Sequence, residues 1–239
     1  IELELIYADL ETVSKRRERV KKQLKADKSL AKEDLVLEKI EKALNEGKSA
    51  RSLELTEEEK DIIKSLSLLT LKPLMYVANV DEETIQNPES NENFKKVKQY
   101  AESQNAKVIP ICVKLEEEIS SIESEEERKE FLEMMGLDKS GLDRLVIASY
   151  DILGLMSYLT AGEVEVRAWT IRKGTKAPQA AGKIHSDIER GFIKAEIVSY
   201  DDLIKCGSMA KAREKGLIRM EGKEYTMKEG DIVDFKFNV

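Results

Sequence analysis

Apolar residues recur every three or four positions along the first 45 residues, a spacing that predicts two amphipathic helices. The apolar stripe of the first helix consists of Leu3, Ile6, Leu10, Val13, Val20 and Leu24, with Arg17 in the gap. The stripe of the second consists of Leu30, Leu37, Ile40 and Leu44, and Gly47 follows it. Alternating steps of three and four residues are typical of a coiled-coil seam, so we predict an antiparallel helical hairpin.

Two apolar segments of strand length follow the hairpin. The first, 74–80, comes after Lys72-Pro73, a pair that favours an extended chain, and the second is 107–113. A helical pattern around Phe94 lies between them, and another follows the second segment. The order strand, helix, strand, helix predicts parallel βαβ units.

The pattern changes again after residue 140. A helical pattern over 141–155 leads to residues 158–162, which have the composition of a linker. Beyond the linker the spacing becomes two, which predicts a strand whose buried face consists of Val164, Val166, Ala168 and Thr170. Further predicted elements are a short helix from Pro178 and strands at 192–200 and 232–237. Strands around one helix fit a small α+β domain of the β-grasp type.

The net charge of −7 is unevenly distributed along the chain. Residues 1–158 hold 25 Lys and Arg against 34 Asp and Glu, whereas residues 159–239 hold 15 against 13. This asymmetry indicates two parts with different partners. The chain has no apolar run of membrane-spanning length, and its two cysteines are too few for a disulfide framework, which favours a reducing cytoplasm.

Candidate chemistry lies where the first predicted strand ends. Asn79 is followed three residues later by Glu82, and ligand sites of α/β sheets lie at the carboxyl ends of strands. The pattern resembles Asn-Lys-x-Asp, the base-reading motif of P-loop GTPases, with Val80 in place of Lys and Glu82 in place of Asp. Lys114 follows the second strand, where such GTPases have a Ser-Ala-Lys loop, and is a further candidate base contact. The alternative is that Asn79 only begins a turn.

Several longer stretches together resemble one family, the YchF group of Obg-like ATPases, over essentially the whole chain. They are Leu71-Lys72-Pro73, Asn79-Val80-Asp81-Glu82, Thr160-Ala161-Gly162, Val166-Arg167-Ala168-Trp169-Thr170, Ala177-Pro178-Gln179-Ala180-Ala181-Gly182-Lys183-Ile184-His185, Glu189-Arg190-Gly191-Phe192-Ile193 and Phe235-Lys236-Phe237-Asn238-Val239.

The resemblance implies an α/β fold, here a partial P-loop NTPase sheet, with an inserted antiparallel coiled-coil arm and a C-terminal α+β TGS domain of β-grasp type. The arm would be 1–68, the trailing part of the nucleotide-binding domain 69–158, and the TGS domain 159–239. The resemblance also implies that Asn79, Val80 and Glu82 contact the nucleotide base and that the intact protein prefers ATP to GTP.

The chain departs from the family in having no Gly-x-x-x-x-Gly-Lys-Ser/Thr phosphate loop. We therefore expect the phosphate loop, the catalytic groups and the ligands of the Mg²⁺ that accompanies ATP to lie upstream, and no metal or catalytic residue within this chain. Asp138-Lys139-Ser140-Gly141 has a switch-like spelling but follows the base motif, so we interpret it as a helix start.

Clustered basic residues suggest contact with RNA, because phosphate binding needs little beyond Lys and Arg. The candidates are Arg16, Arg17, Lys21, Lys22, Lys173 and Lys183. A solvated coiled-coil face and scattered surface lysines are the alternatives. Trp169 is predicted in the core or its rim rather than on an RNA-stacking platform, and His185 with Asp187 is predicted to be structural rather than catalytic.

Two functions follow from these patterns. The first is a cytoplasmic, ribosome-associated switch protein that hydrolyses ATP in preference to GTP when intact, with the ribosome or ribosomal RNA as partner and no membrane or specific DNA partner. The alternative is a non-catalytic RNA-binding or ribosome-binding fragment.

Overall fold

The computed structural model describes residues 1–162 and 165–238, which form two compact units, Ile1–Gly141 and Leu142–Val239. The helices are α1 (Glu2–Leu24), α2 (Ala31–Asn45), α3 (Glu57–Ile63), α4 (Glu82–Gln86), α5 (Glu92–Ser103), α6 (Val113–Ser121), α7 (Glu125–Met134), α8 (Gly141–Ile152), α9 (Ala177–Gly182), α10 (Ser186–Arg190), α11 (Tyr200–Cys206) and α12 (Met209–Glu214). The strands are β1 (Met75–Asn79), β2 (Lys107–Ile111), β3 (Leu155–Ala161), β4 (Val166–Arg172), β5 (Phe192–Ser199), β6 (Arg219–Glu221) and β7 (Asp231–Phe237). In this part of the chain, no helix combines the length and apolar character needed to span a membrane.

Helices α1 and α2 pack against each other as an antiparallel pair, and the two predicted helices are confirmed. Ile6, Val13 and Val20 of α1 pack in one core with residues of α2 such as Leu37 and Ile40. Burial of these apolar stripes is the main force that holds the two helices together.

The predicted seam of α1 is wrong at Leu3 and omits Asp9, although Leu10 packs against the core as predicted. Leu3 is 59% exposed, whereas Asp9, one step from the predicted Leu10, is buried. Asp9 is buried because its hydrogen-bond partners lie in a distant loop, which helical periodicity cannot indicate.

Arg17 occupies the gap in the apolar stripe and bonds across the hairpin. Its guanidinium contacts the carboxylates of Asp34 at 3.2 Å, Glu41 at 2.6 Å and Glu38. Ser14 also donates to Glu41 at 2.6 Å. The hydrogen bonds from Ser14 and Arg17 lower the pKa of the Glu41 carboxyl from its usual value. Arg17, a predicted RNA contact, is therefore committed to α2.

The buried carboxylate of Asp9 ties α1 to the chain that precedes β1. It accepts hydrogen bonds from the backbone N–H groups of Leu69 at 2.8 Å and Thr70 at 2.7 Å, and from the Thr70 hydroxyl at 2.7 Å. The same hydroxyl accepts a hydrogen bond from the backbone of Ala50 at 3.0 Å. The base of the hairpin, the segment after α2 and the approach to β1 therefore meet at one polar cluster.

Strands β1 and β2 pair in parallel, as predicted, with Met75 opposite Lys107 and Asn79 opposite Ile111. Helix α5 lies between them in sequence and packs on both strands. The second strand ends at Ile111, two residues earlier than predicted, because α6 begins at Val113. The parallel register brings the carboxyl ends of both strands to the same edge.

The second unit contains a five-stranded sheet in the order β4-β3-β7-β5-β6, in which β3 and β7 are parallel and the other pairs antiparallel. One face packs on α9 around Tyr158, whose hydroxyl donates to the carbonyl of Ala180 at 2.9 Å. Helices α11 and α12 contribute Cys206 and Ala212 to a second apolar cluster with Val198 of β5. The predicted strands at 192–200 and 232–237 are confirmed, but the domain has more than one helix.

The predicted linker at 158–162 is wrong. Residues 155–161 form β3, which pairs along its length with β4. The small and polar residues Thr160, Ala161 and Gly162 concealed the alternation that starts earlier with Met156 and Tyr158, both buried. Part of the segment assigned to the nucleotide-binding domain therefore belongs to the second sheet.

Strand β4 was predicted correctly but with the wrong face buried. Ile171 is 2% exposed and Trp169 packs against the core, whereas Val166, Ala168 and Thr170 face outward; Val164 lies outside the described residues. A period of two indicates a strand without telling which face is buried, and here the larger side chains decide. The indole N–H of Trp169 donates to the Thr160 hydroxyl at 2.9 Å.

We expect Asp9→Asn to lower the free energy of unfolding by about 1–3 kcal/mol, because the amide turns a donor toward groups that need an acceptor. Urea denaturation followed by circular dichroism measures the change. Glu18→Gln, an exposed change on the same helix, is the matched control and should stay within about 0.5 kcal/mol of wild type. Equal small effects for both variants would contradict the role assigned to Asp9.

Candidate functional site

The carboxyl ends of β1 and β2 border a cleft of about 590 Å³ in the first unit. It is lined by Asn79, Val80, Asp81, Glu82, Glu83, Cys112 and Lys114. The four predicted base-site residues, Asn79, Val80, Glu82 and Lys114, are thus brought together at one edge of the strand pair. The volume lies within the range of small-molecule sites in proteins.

Asn79 connects the two sides of the cleft. Its side-chain oxygen accepts a hydrogen bond from the backbone N–H of Val113 at 3.2 Å, at the start of α6. Next to it, the backbone N–H of Val80 donates to the carbonyl of Ile111 at 2.9 Å, which extends the strand pairing by one bond. The amide N–H groups of Asn79 form no hydrogen bond among the described residues, so they are available as donors.

Asp81 begins α4 and so fixes the position of Glu82. Its carboxylate accepts a hydrogen bond from the backbone N–H of Thr84 at 2.7 Å, the usual role of an N-cap aspartate. Hydrogen bonds from Thr84 lower the pKa of Asp81 from its usual value. Sequence reasoning passed over Asp81, although an aspartate that follows a strand and precedes two glutamates is a recognisable N-cap signal.

Glu82 and Lys114 form an ion pair across the cleft. The Lys114 ammonium lies 2.6 Å from Oε1 of Glu82, and the two side chains are 72% and 40% exposed. The hydrogen bond to Glu82 raises the pKa of Lys114 from its usual value. The pair joins the first turn of α4 to the first turn of α6.

Cys112 and Glu83 are further lining residues that sequence reasoning missed. Cys112 is buried directly after β2 and packs with Ile85 and Leu115 beneath the cleft. Its place at the end of a strand is the signal that could have identified it. Cys112 and Cys206 are both free thiols and both buried.

Within residues 1–162 and 165–238, no group of three or more His, Cys, Asp or Glu side chains is arranged to hold a metal ion. His185 caps α10, with Nδ1 accepting from the backbone of Asp187 at 3.2 Å. This geometry gives His185 a local structural contact.

The six predicted RNA contacts differ in their partners. Arg16 pairs with Glu33 at 2.6 Å, and Lys173 pairs with Asp151 at 2.6 Å. The remaining three, beside the engaged Arg17, are exposed and form no hydrogen bond or ion pair among the described residues; they are Lys21, Lys22 and Lys183. Four of the six lie in the first unit, and Lys173 and Lys183 lie in the second.

Known proteins match this chain along its whole length. The "Ribosome-binding ATPase YchF" of Bacillus subtilis (strain 168) is 53% identical over 240 residues, which are 100% of this chain and 65% of that protein. The protein of the same name from Escherichia coli O157:H7 is 45% identical with the same coverage. This chain belongs to the YchF family. The resemblance predicted from the sequence is confirmed.

A solved YchF structure and a family model extend the match to the fold. The "Schizosaccharomyces pombe YchF GTPase" superposes with a TM-score of 0.82 at 37% identity, covering 99% of this chain and 64% of that one. The family model YchF-GTPase_C, described as "Protein of unknown function (DUF933)", matches residues 155–238. The mixed α/β fold with a C-terminal domain is thereby confirmed, and this YchF chain spans 65% of the length of its curated relatives.

We expect Asn79→Ala to lower the free energy of unfolding by about 0.5–1.5 kcal/mol, because the first N–H of α6 loses its acceptor. Lys114→Met should leave the urea midpoint unchanged, since an exposed ion pair contributes little to stability. Both midpoints can be measured by circular dichroism in the same buffer. A larger loss for Lys114→Met than for Asn79→Ala would contradict this description of the cleft.

Proposed function

We propose that this chain is the C-terminal part of a cytoplasmic, ribosome-associated protein that binds and hydrolyses ATP in preference to GTP. The observation that carries the proposal is the cleft, in which Asn79, Val80 and Glu82 lie together at the carboxyl edge of two parallel strands. This is where α/β proteins bind nucleotides. The names of the bacterial relatives, "Ribosome-binding ATPase YchF", support the same activity and partner.

The preference for adenine follows from the acceptors that guanine requires. The Asp of a guanine-specific motif accepts hydrogen bonds from the N1–H and the exocyclic amino group of the base, and adenine lacks this donor pair. Glu82 places its carboxylate one methylene further from the backbone, and Val80 removes a lysine side chain that would cover the base. A site that leaves polar groups of guanine unpaired rejects guanine.

The residues that hold the triphosphate belong to another part of the protein in this proposal. The 239 residues contain no Gly-x-x-x-x-Gly-Lys-Ser/Thr sequence, and the described residues offer no metal cluster. We assign the phosphate loop and the Mg²⁺ ligands to the part of the relatives that this chain does not span. When bound, Mg²⁺ would stabilise the charge of the transferring phosphoryl group.

The partner-binding elements are the hairpin and the C-terminal domain. We assign α1 and α2, within residues 1–68, to a coiled-coil arm, and the second sheet to a TGS domain of β-grasp type. In this proposal the C-terminal domain starts no later than Leu155, and not at the predicted 159, because β3 pairs with β4 and the family match begins at 155. Residues between the arm and this domain are assigned to the nucleotide-binding domain.

Competition between ATP and GTP for the intact protein tests the proposed preference. We expect wild type to bind ATP more tightly, and Glu82→Asp to narrow the difference because the shorter carboxylate approaches the position used in guanine-specific sites. Isothermal titration calorimetry gives both dissociation constants. Glu102→Asp on α5, which is outside the cleft, is the matched control and should leave the ratio unchanged. Efficient displacement of ATP by GTP from wild type would contradict the proposal.

A non-catalytic RNA-binding role remains a second candidate because Lys21 and Lys22 are exposed and unpaired near the tip of the hairpin. We expect the double change Lys21→Ala and Lys22→Ala to reduce the slope of log K against log salt by about 1.4–1.8, the contribution of two phosphate contacts. Filter binding of ribosomal RNA at several salt concentrations measures the slope.

The control for that experiment is Lys96→Ala with Lys139→Ala, since both lysines are exposed and lie outside the hairpin. Retention of RNA that does not depend on salt would rule out phosphate contacts. An equal reduction by both double variants would show a general charge effect instead of a site on the hairpin.

A further inference from the structure

We propose that Lys114 is a specificity-determining positioning residue, which holds the Glu82 carboxylate away from the base and thereby helps to exclude guanine. This inference rests on the proposed function of the cleft. It assigns to Lys114 an action through Glu82, in place of the direct contact with the base that the sequence suggested.

Recognition of guanine depends on both oxygens of a carboxylate. Guanine offers two adjacent donors, so its recognition by a carboxylate uses both oxygens side by side. In this structure Oε1 of Glu82 is bonded to the Lys114 ammonium at 2.6 Å. One oxygen therefore already has a charged partner, and a guanine donor would have to compete with it.

Two other acceptor side chains line the cleft, and each has a backbone partner. The side-chain oxygen of Asn79 is bonded to the backbone N–H of Val113, and the carboxylate of Asp81 is bonded to the backbone N–H of Thr84. Each of these two groups therefore already has a backbone partner at a helix start, whereas Glu82 has only the Lys114 side chain. Adenine is unaffected by this arrangement because it lacks the donor pair, and the amide N–H groups of Asn79 can serve its ring nitrogens.

The Glu82–Lys114 ion pair connects the starts of two helices. Glu82 is the first residue of α4 and Lys114 the second residue of α6, and both helices begin at the ends of the paired strands. Asp81 fixes the start of α4, and Asn79 fixes the start of α6. The ion pair therefore connects two points whose backbones are held in place.

Glu83 is the alternative acceptor that the test must separate from Glu82. It also lines the cleft, is exposed, and has no hydrogen bond or ion pair among the described residues. If Glu83 is the acceptor that contacts the base, Lys114 cannot change the base preference through Glu82. The experiment therefore compares glutamine variants at both positions.

The experiment measures dissociation constants for ATP and GTP, with Mg²⁺, on the intact protein and on Lys114→Met. An exposed ion pair contributes little free energy, so its loss should have a small effect on GTP binding. We expect the GTP-to-ATP ratio of dissociation constants to fall by about two- to fivefold. The change should come from tighter GTP binding. Lys114→Arg keeps a cation and should restore the wild-type ratio.

The matched control is Lys129→Met, which breaks another exposed Lys–Glu pair, that of Lys129 with Glu133 on α7 outside the cleft. It should leave the ratio unchanged. In the Glu82→Gln background, Lys114→Met should have no further effect on the ratio. In the Glu83→Gln background it should have its full effect.

Three results would overturn the inference and leave the proposed function standing. The first is an unchanged ratio in a Lys114→Met protein that keeps the wild-type urea midpoint. The second is an equal weakening of ATP and GTP binding, which would indicate a direct contact between Lys114 and the nucleotide. The third is an effect of Lys114→Met on the ratio that persists in the Glu82→Gln background and disappears in the Glu83→Gln background. Wild type that binds GTP as tightly as ATP would overturn the proposed function as well, so the two failures are distinguishable.

Discussion

The carboxylate of Asp9 accepts three hydrogen bonds from Leu69 and Thr70 in a position that is 3% exposed. A buried charge is strongly unfavourable unless its acceptor sites are bonded, so this contact constrains the segment after α3 to one position against α1. That segment leads directly through Lys72 into β1, and β1 ends at Asn79. The base of the helical hairpin and the strand that carries the candidate site are therefore positioned by the same cluster.

The cleft itself depends on backbone groups more than on its exposed side chains. The parallel register of β1 and β2 brings two strand ends together, and each end is followed at once by a helix. Asn79 and Asp81 bond to N–H groups at the starts of those helices, and the Glu82–Lys114 pair spans the space between them. Each of the three acceptor side chains thus has a local partner, and we propose that this connects the fold of this YchF chain to a preference for adenine.

Local periodicity predicted the hairpin helices, the parallel strand pair and several strands of the second sheet, because each has an apolar face of regular spacing. It failed for β3, because Thr160, Ala161 and Gly162 have the composition of a turn. It also failed for the buried face of β4, because a period of two does not tell which face of a strand is buried. The place of Asn79, Val80, Glu82 and Lys114 after strands predicted that they lie close together, and they line one cleft. The burial of Asp9, the commitment of Arg17 to α2 and the ion pair of Lys114 were missed because their partners are distant in sequence.

The most direct test of this account is a crystal structure of the intact protein with a non-hydrolysable ATP analogue and Mg²⁺. The account predicts the adenine ring in the cleft between Asn79 and Lys114, with the Asn79 amide donating to the base and Glu82 still bonded to Lys114. An adenine bound outside this cleft, or a Glu82 carboxylate that leaves Lys114 to contact the adenine, would contradict it.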